Sequence, residues 1–277
     1  HENEAAERLY KICANENIYP SKEVKEGKIE AFASVDGYFQ IDVDRLDEIN
    51  SIGDIMIATR HSGTAVKAGD KLAGMRVIPL IVEDEKLKEA GKIFNGQPIL
   101  KVTPYKLKKA GVITTGSEVY KGIIKDTFTP VIEEKLNGFG IQMTEHIVVD
   151  DGMENIVNAI NKIKTKDIDM ILCTGGMSVD PDDNTPGAIK KSGAEIVTYG
   201  APVLPGAMFL LGYYENGMPV MGLPGCVMYA GATVFDLVLP KIAAGIKVTK
   251  KDIVKMGNGG LCLSCGECTY PICPFGK

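Results

Sequence analysis

Apolar positions change their spacing near residue 109, and that change divides the chain. Beyond it, short apolar runs alternate with stretches of helical period. Residues 110–114, 141–149, 168–173 and 194–199 have the length and apolar character of strands, and 168–173 suits a buried parallel one. Residues 127–138 predict a helix closing at Gly138 or Gly140. Residues 153–165 predict another, with Ile156, Val157, Ile160 and Ile163 at helical spacing. A short helix begins near Thr185-Pro186, with proline in its first turn. Residues 208–214 and 219–223 flank Glu215-Asn216-Gly217 and predict a hairpin. A last helix follows Leu223-Pro224-Gly225 and runs to about residue 244. Strands alternating with helices imply a parallel sheet with right-handed crossovers. The turns that follow its strands should converge on one edge, where such sheets bind ligands.

Before residue 109 the elements are shorter. Ala5, Ala6, Leu9, Tyr10, Ile12 and Cys13 place an amphipathic helix over 3–14. Phe32, Val35, Tyr38, Phe39 and Ile41, broken by Asp36-Gly37, predict a hairpin. A helix over 43–50, a strand over 55–59 and a turn over 66–72 follow, in the manner of small barrels and sandwiches. Residues 83–108 read as a partly helical connection. Asp36 and His61 are polar points near turns, and no catalytic set assembles here. The expected organisation is an N-terminal α+β domain (1–108), a three-layer α/β/α domain with a mostly parallel sheet (109–248), and a short Cys-rich tail (249–277).

Composition narrows the classes. A chain of 277 residues suits two domains. A net charge of −5 supplies no basic field for nucleic acid. No apolar run reaches the roughly 18 residues of a membrane helix, and no signal peptide is visible. Seven cysteines, four of them in the last 16 residues, point to metal binding in a reducing compartment rather than a disulfide framework. A cytoplasmic location is expected.

Two stretches carry candidate chemistry. Thr174-Gly175-Gly176 ends the 168–173 strand. Its glycines allow close backbone approach, and its N–H groups suit an anion. Asp180, Asp182 and Asp183 follow within four residues. That combination suits a phosphorylated ligand handled with a divalent cation such as Mg²⁺. The plain alternative is a strand-to-loop turn with solvated acids. His146, Met170, Met208 and Met221 read as structural residues. The second stretch is Cys262-x2-Cys265-x2-Cys268-x4-Cys273-Pro274. It differs by one residue from the bacterial ferredoxin spacing, and suits an iron–sulfur cluster or Zn²⁺. Glycines within 257–260 predict a loose attachment for the tail, which is too short and polar to fold without metal.

Several motifs occur in one order: Thr114-Thr115-Gly116-Ser117-Glu118-Val119, Lys125-Asp126-Thr127, Val149-Asp150-Asp151, Thr174-Gly175-Gly176-Met177-Ser178-Val179 and Gly222-Leu223-Pro224-Gly225. Over about residues 109–245 the chain resembles the molybdopterin-binding domain of molybdenum cofactor biosynthesis proteins. It looks most similar to the molybdopterin molybdenumtransferases and, next, to the molybdopterin adenylyltransferases. The resemblance implies that Thr174, Gly175, Gly176 and Ser178 hold the pterin phosphate or its adenylylated form, in a pocket completed by Thr115, Gly116 and Ser117. It implies that Glu118 and Asp126 line that pocket near metal or dithiolene, with Asp182 and Asp183 as further catalytic carboxylates. Asp150 falls in the family's acidic turn, and Gly222, Pro224 and Gly225 in the loop facing molybdate. Two departures stand out. Cys226-Val227 replaces the usual Asn-Pro, and Asp180 to Thr185 looks more like the adenylyltransferase and related hydrolase branch. The expected function is insertion of molybdate into (adenylylated) molybdopterin, or a related late step. The alternatives are a cofactor carrier or sensor that docks a molybdoenzyme through its tail, and a nucleotide pyrophosphatase. A homo-oligomer is implied, a dimer before a trimer.

Overall fold

The computed structural model describes every residue except Val179, Pro181 and Asp182. It contains two compact units, His1–Tyr105 and Lys106–Lys277.

In the first unit, β1 (Ile18–Pro20), β2 (Lys28–Ala33), β6 (Lys71–Val77) and β4 (Ile55–Thr59) form an antiparallel sheet in the order β1-β2-β6-β4. β5 (Thr64–Val66), β3 (Gly37–Ile41) and β7 (Leu100–Pro104) form a second antiparallel sheet. Helices α1 (Glu2–Cys13), α2 (Val43–Ser51) and α3 (Asp84–Phe94) complete the unit. One apolar core joins Leu9, Ile29, Phe39, Ile49, Met75 and Leu100. The hairpin expected at Asp36-Gly37 does not form, because β2 and β3 belong to different sheets. Instead Asp36 accepts a hydrogen bond from the Ala68 N–H at 2.8 Å. A Cβ on Gly37 would stand 2.5 Å from the Thr103 carbonyl, so glycine here permits strand approach rather than a turn. Residues 83–108, expected as a connection, supply both α3 and the strand β7.

The second unit has an α/β fold. Its sheet runs β11 (Glu195–Tyr199), β12 (Leu210–Tyr213), β13 (Pro219–Leu223), β10 (Met170–Thr174), β8 (Lys109–Thr115), β9 (Gln142–Val149). β13, β10, β8 and β9 are parallel neighbours, while β11 and β12 are antiparallel additions. The hairpin expected between β12 and β13 is present. Every residue of β10 is buried, as a central strand covered on both faces requires. Helices α6 (Met153–Lys164) and α7 (Thr185–Lys191) pack on one face, where Ile156, Ile160, Ile163 and Ile189 meet Ile113, Ile171 and Val220. The short α4 (Ser117–Tyr120), α5 (Phe128–Asn137), α8 (Val234–Ala243) and α9 (Lys250–Lys255) complete the unit. The helix expected directly after Leu223-Pro224-Gly225 begins later, since Gly225–Met228 is a 3₁₀ turn and α8 starts at Val234 behind a Thr233–Asp236 capping box.

The tail is fastened to this unit rather than loose. Leu204 N–H donates to the Gly260 carbonyl and Cys262 N–H to the Leu204 carbonyl, both at 2.8 Å. Phe275 is buried, and the Tyr270 hydroxyl donates to the Asp236 carbonyl at 3.2 Å. Among the described residues, no helix is long and apolar enough to cross a membrane.

Candidate functional site

Parallel pairing sets the geometry of the site. Thr174 lies beside Thr114 on β8 and Leu223 on β13, and Thr115 lies beside Val149 on β9. The turns that follow these four strands therefore emerge on one edge, the carboxyl edge of the parallel strands. Thr115, Gly116, Ser117, Asp150, Thr174, Gly175, Gly176, Pro224 and Gly225 all lie at or just past it.

The centre of this edge is tightly built. Gly175 and Gly176 have φ of +83° and +56°. A Cβ on Gly175 would stand 2.2 Å from the Thr115 carbonyl oxygen, and one on Gly176 would stand 2.8 Å from the Thr185 hydroxyl. Thr185 is fully buried and donates to the Gly175 carbonyl at 2.8 Å. The glycines thus serve contact between two strand ends as well as any ligand. Gly222 sits within β13, where a Cβ would meet the Met177 side chain at 2.6 Å, so the structure places it in the core rather than in the loop.

Carboxylates hold the backbone donors of the flanking turns. The Ser117 N–H donates to Asp151 at 2.8 Å, and the Ser117 hydroxyl donates to Asp150. The Ser117 hydroxyl and then the Asp151 N–H hold the Asp150 carboxyl below the usual carboxylate range. The Ser178 N–H donates to Asp183. Asn184 links two turns by donating to the Asp151 carbonyl at 3.0 Å. Glu118 is exposed on α4, and Asp182 lies outside the described residues.

Asp126 is differently engaged. Its carboxylate accepts the Phe128 and Thr129 N–H groups at 2.9 and 3.0 Å, which caps the first turn of α5. The Thr114 and Thr129 hydroxyls complete a network with His146, whose Nε2 lies 2.9 Å from Thr114 Oγ1. Burial pushes the Asp126 carboxyl up, but these hydrogen bonds, led by the Thr129 hydroxyl, outweigh it and hold the group below its ordinary 3.8. His146 is a bonded strand residue, as expected of it. Sequence reasoning missed this network, although an Asp just before a predicted helix is a capping signal. It also missed Lys162 and Asn155, which line a groove of about 370 Å³ together with Asp150, Val149 and Tyr120.

Among the described residues, no three His, Cys, Asp or Glu side chains converge on a position for a metal ion. A cavity of about 830 Å³ is lined by Leu107, Ile168 and Pro219 near the starts of the parallel strands. It is thus at the opposite edge from these turns.

Residues 111–244, just under half of the chain, match the family model described as "Probable molybdopterin binding domain". The matched stretch lies within the second unit. A "CinA-like protein" of Pseudothermotoga lettingae is 41% identical over 86 residues, which are 31% of this chain and 21% of that protein. A "CinA-like protein" of Fusobacterium nucleatum is 36% identical over 83 residues, 30% of this chain and 20% of that one. The chain thus spans about a fifth of the length of these curated relatives. Among solved structures, MoaB from Thermus thermophilus is 20% identical, with a TM-score of 0.43 over 50% of this chain and 98% of that one. CinA from Thermoplasma acidophilum is 20% identical, with a TM-score of 0.39 over 53% of this chain and 99% of that one. Within the matched residues 111–244, the described motif residues fall mostly at the carboxyl edge, with Gly222 and Met177 in the packing.

Two outcomes test this geometry. Gly175→Ala should cost about 2–4 kcal/mol, from left-handed backbone strain of about 1–3 kcal/mol and further overpacking against Thr115. Urea unfolding followed by circular dichroism reads it; unchanged stability would make Gly175 a ligand-approach residue only. Asp126 has a lowered folded pKa, so its contribution is complete above its unfolded value of 3.8 and is lost as pH falls through the lower folded value. Asp126→Asn should cost about 1 kcal/mol at pH 7. It should also flatten the acid limb of the urea midpoint against pH; a parallel curve would contradict the placement.

Proposed function

We propose that the second unit binds a molybdopterin, free or adenylylated, and acts in a late step of molybdenum cofactor assembly, with molybdate insertion as the specific reaction. The observation that carries this reading is the pair of backbone N–H groups, Ser117 and Ser178, each occupied by a carboxylate oxygen on the same sheet edge. Those oxygens stand where anionic ligand oxygens would be accepted. A phosphate oxygen taking either N–H releases Asp151 or Asp183. Mg²⁺ is commonly held by one or two carboxylates together with substrate phosphates. The released acids, with Glu118 and Asp182, are the proposed source of such ligands, and Lys121 supplies a positive charge near Asp150. The metal offsets phosphate charge; the chain's residues position the ligand and fix its orientation. Thr174, Gly175 and Gly176 shape the floor, and Pro224 and Gly225 face the molybdate side.

The carrier reading differs only in turnover. It is supported by a cysteine tail fastened to the same unit that holds the proposed pterin site. The chain covers only a fifth of its curated relatives, so partners of a longer protein are compatible with either reading.

Incubation with molybdopterin, MgATP and molybdate separates the readings. Turnover is expected, and Glu118→Gln should lower it about tenfold without changing the melting temperature, because the residue is exposed. Tight pterin binding without turnover would favour the carrier, while dinucleotide hydrolysis without pterin affinity would replace both. The proposed assembly is a homodimer. Light scattering at micromolar concentration should give twice the 29.8 kDa chain mass, and a monomer mass would end that claim.

A further inference from the structure

We propose that Cys262, Cys265, Cys268 and Cys273 hold a [4Fe–4S] cluster in a cavity formed between the tail and the loop that precedes α8. The proposal is independent of pterin binding.

All four cysteines line one cavity of about 240 Å³. Its other wall includes Pro205, Ala230, Gly231 and Ala232, small residues that leave the space open. The cysteine segment is pinned at both ends. Cys262 donates its N–H to the Leu204 carbonyl, and past Cys273 the buried Phe275 leads to a hydrogen bond from Gly276 N–H to the Gly259 carbonyl at 2.9 Å. Between them, Cys268 lies directly on Gly231, where a Cβ would stand 2.6 Å from its Sγ. The thiols are therefore gathered around a fixed space without being joined to one another, since all seven cysteines are free.

The spacing alone accommodates zinc or iron–sulfur, and the geometry separates them. A single zinc needs its four sulfurs about 2.3 Å from one point. Among the described residues, no three His, Cys, Asp or Glu side chains gather on one point for a single ion, so the thiols stand spread around the cavity. A void of about 240 Å³ is also far larger than one ion requires, given that a single water needs roughly 10–15 Å³. A cubane spreads its ligands, because each thiolate binds a different iron, and it fills the space between them. In two-cluster ferredoxins the fourth cysteine of the related run serves the other cluster. Here Cys273 lines the same cavity as the first three, so one cluster has its full set. Each thiol releases its proton on binding iron; external ferric iron and sulfide supply the core, and a dithiol reductant supplies the two electrons that take four ferric irons to the 2+ state of the cluster. Cys13 and Cys173 take no part, being buried with thiols that burial pushes up to about 12. Cys265 and Cys268 are exposed, which leaves the cluster open to oxygen.

The full chain, purified without oxygen and reconstituted with ferric iron, sulfide and a dithiol reductant, should be brown with about four irons and four sulfides per chain. Air should bleach it. Cys265→Ser and Cys268→Ser should each at least halve the iron, with far-ultraviolet circular dichroism unchanged. Gly231→Val should do the same by displacing Cys268, while Cys226→Ser, outside the cavity lining, should keep all the iron. A colourless protein with one zinc, two irons per chain, or four freely titrating thiols after reconstitution would each overturn the proposal. So would full iron retention in the Cys265 and Cys268 variants.

Discussion

The second unit depends on the contact between the end of β8 and the turn that follows β10. The Thr115 carbonyl occupies the space a side chain on Gly175 would need. That contact leaves Thr174 and Thr115 at adjacent strand ends and lets the buried Thr185 bond the Gly175 carbonyl. Backbone at left-handed φ meets backbone at van der Waals limits, a combination open to glycine and strained for any other residue. From this point the other turns take their positions by strand register: Asp150 beyond β9, Pro224 beyond β13. The site is therefore a consequence of sheet pairing, and its precision comes from the rigid strands beneath it.

Charge around the edge is arranged so that acids sit on donors. Asp150, Asp151 and Asp183 each accept hydrogen bonds from turn residues, and Asp126 caps a helix. An acid that satisfies a backbone N–H stabilises the turn, yet it also keeps an anion position filled. Under the proposed function these two roles would compete for a phosphorylated ligand, and a divalent cation would relieve the repulsion. The cysteine cavity works by a different principle. Small residues, Ala230, Gly231 and Ala232, leave one wall open, and four cysteines line the rest of the space with Tyr270 and Phe275.

Much of the architecture is legible in the order of residues. Apolar period locates the strands and helices of the second unit, because a parallel sheet buries its strands on both faces and leaves near-continuous apolar runs. The convergence of the strand-end turns follows from βαβ logic alone. Local pattern misleads where long-range pairing decides. Asp36-Gly37 carries a hairpin signal, yet Gly37 serves the approach of β7, which is distant in the chain. The tail looks detachable because its glycines suggest flexibility, whereas its backbone is bonded to Leu204 and its Phe275 is buried.

The sequence by itself determined the second unit's α/β class, the order of its strand-end motifs and the presence of four closely spaced cysteines. Those are matters of local period, motif order and residue type, which neighbouring positions encode. Tertiary structure alone decided what each group does with its bonds. It joined Asp126 to the Thr114 hydroxyl, put Gly222 against Met177 in the core, and set Asp151 on the Ser117 N–H of another turn. It also assembled Cys262 to Cys273 around one cavity against residues 230–232. These outcomes rest on distances between residues far apart in the chain, and such distances exist only once the sheet has paired and its helices have packed.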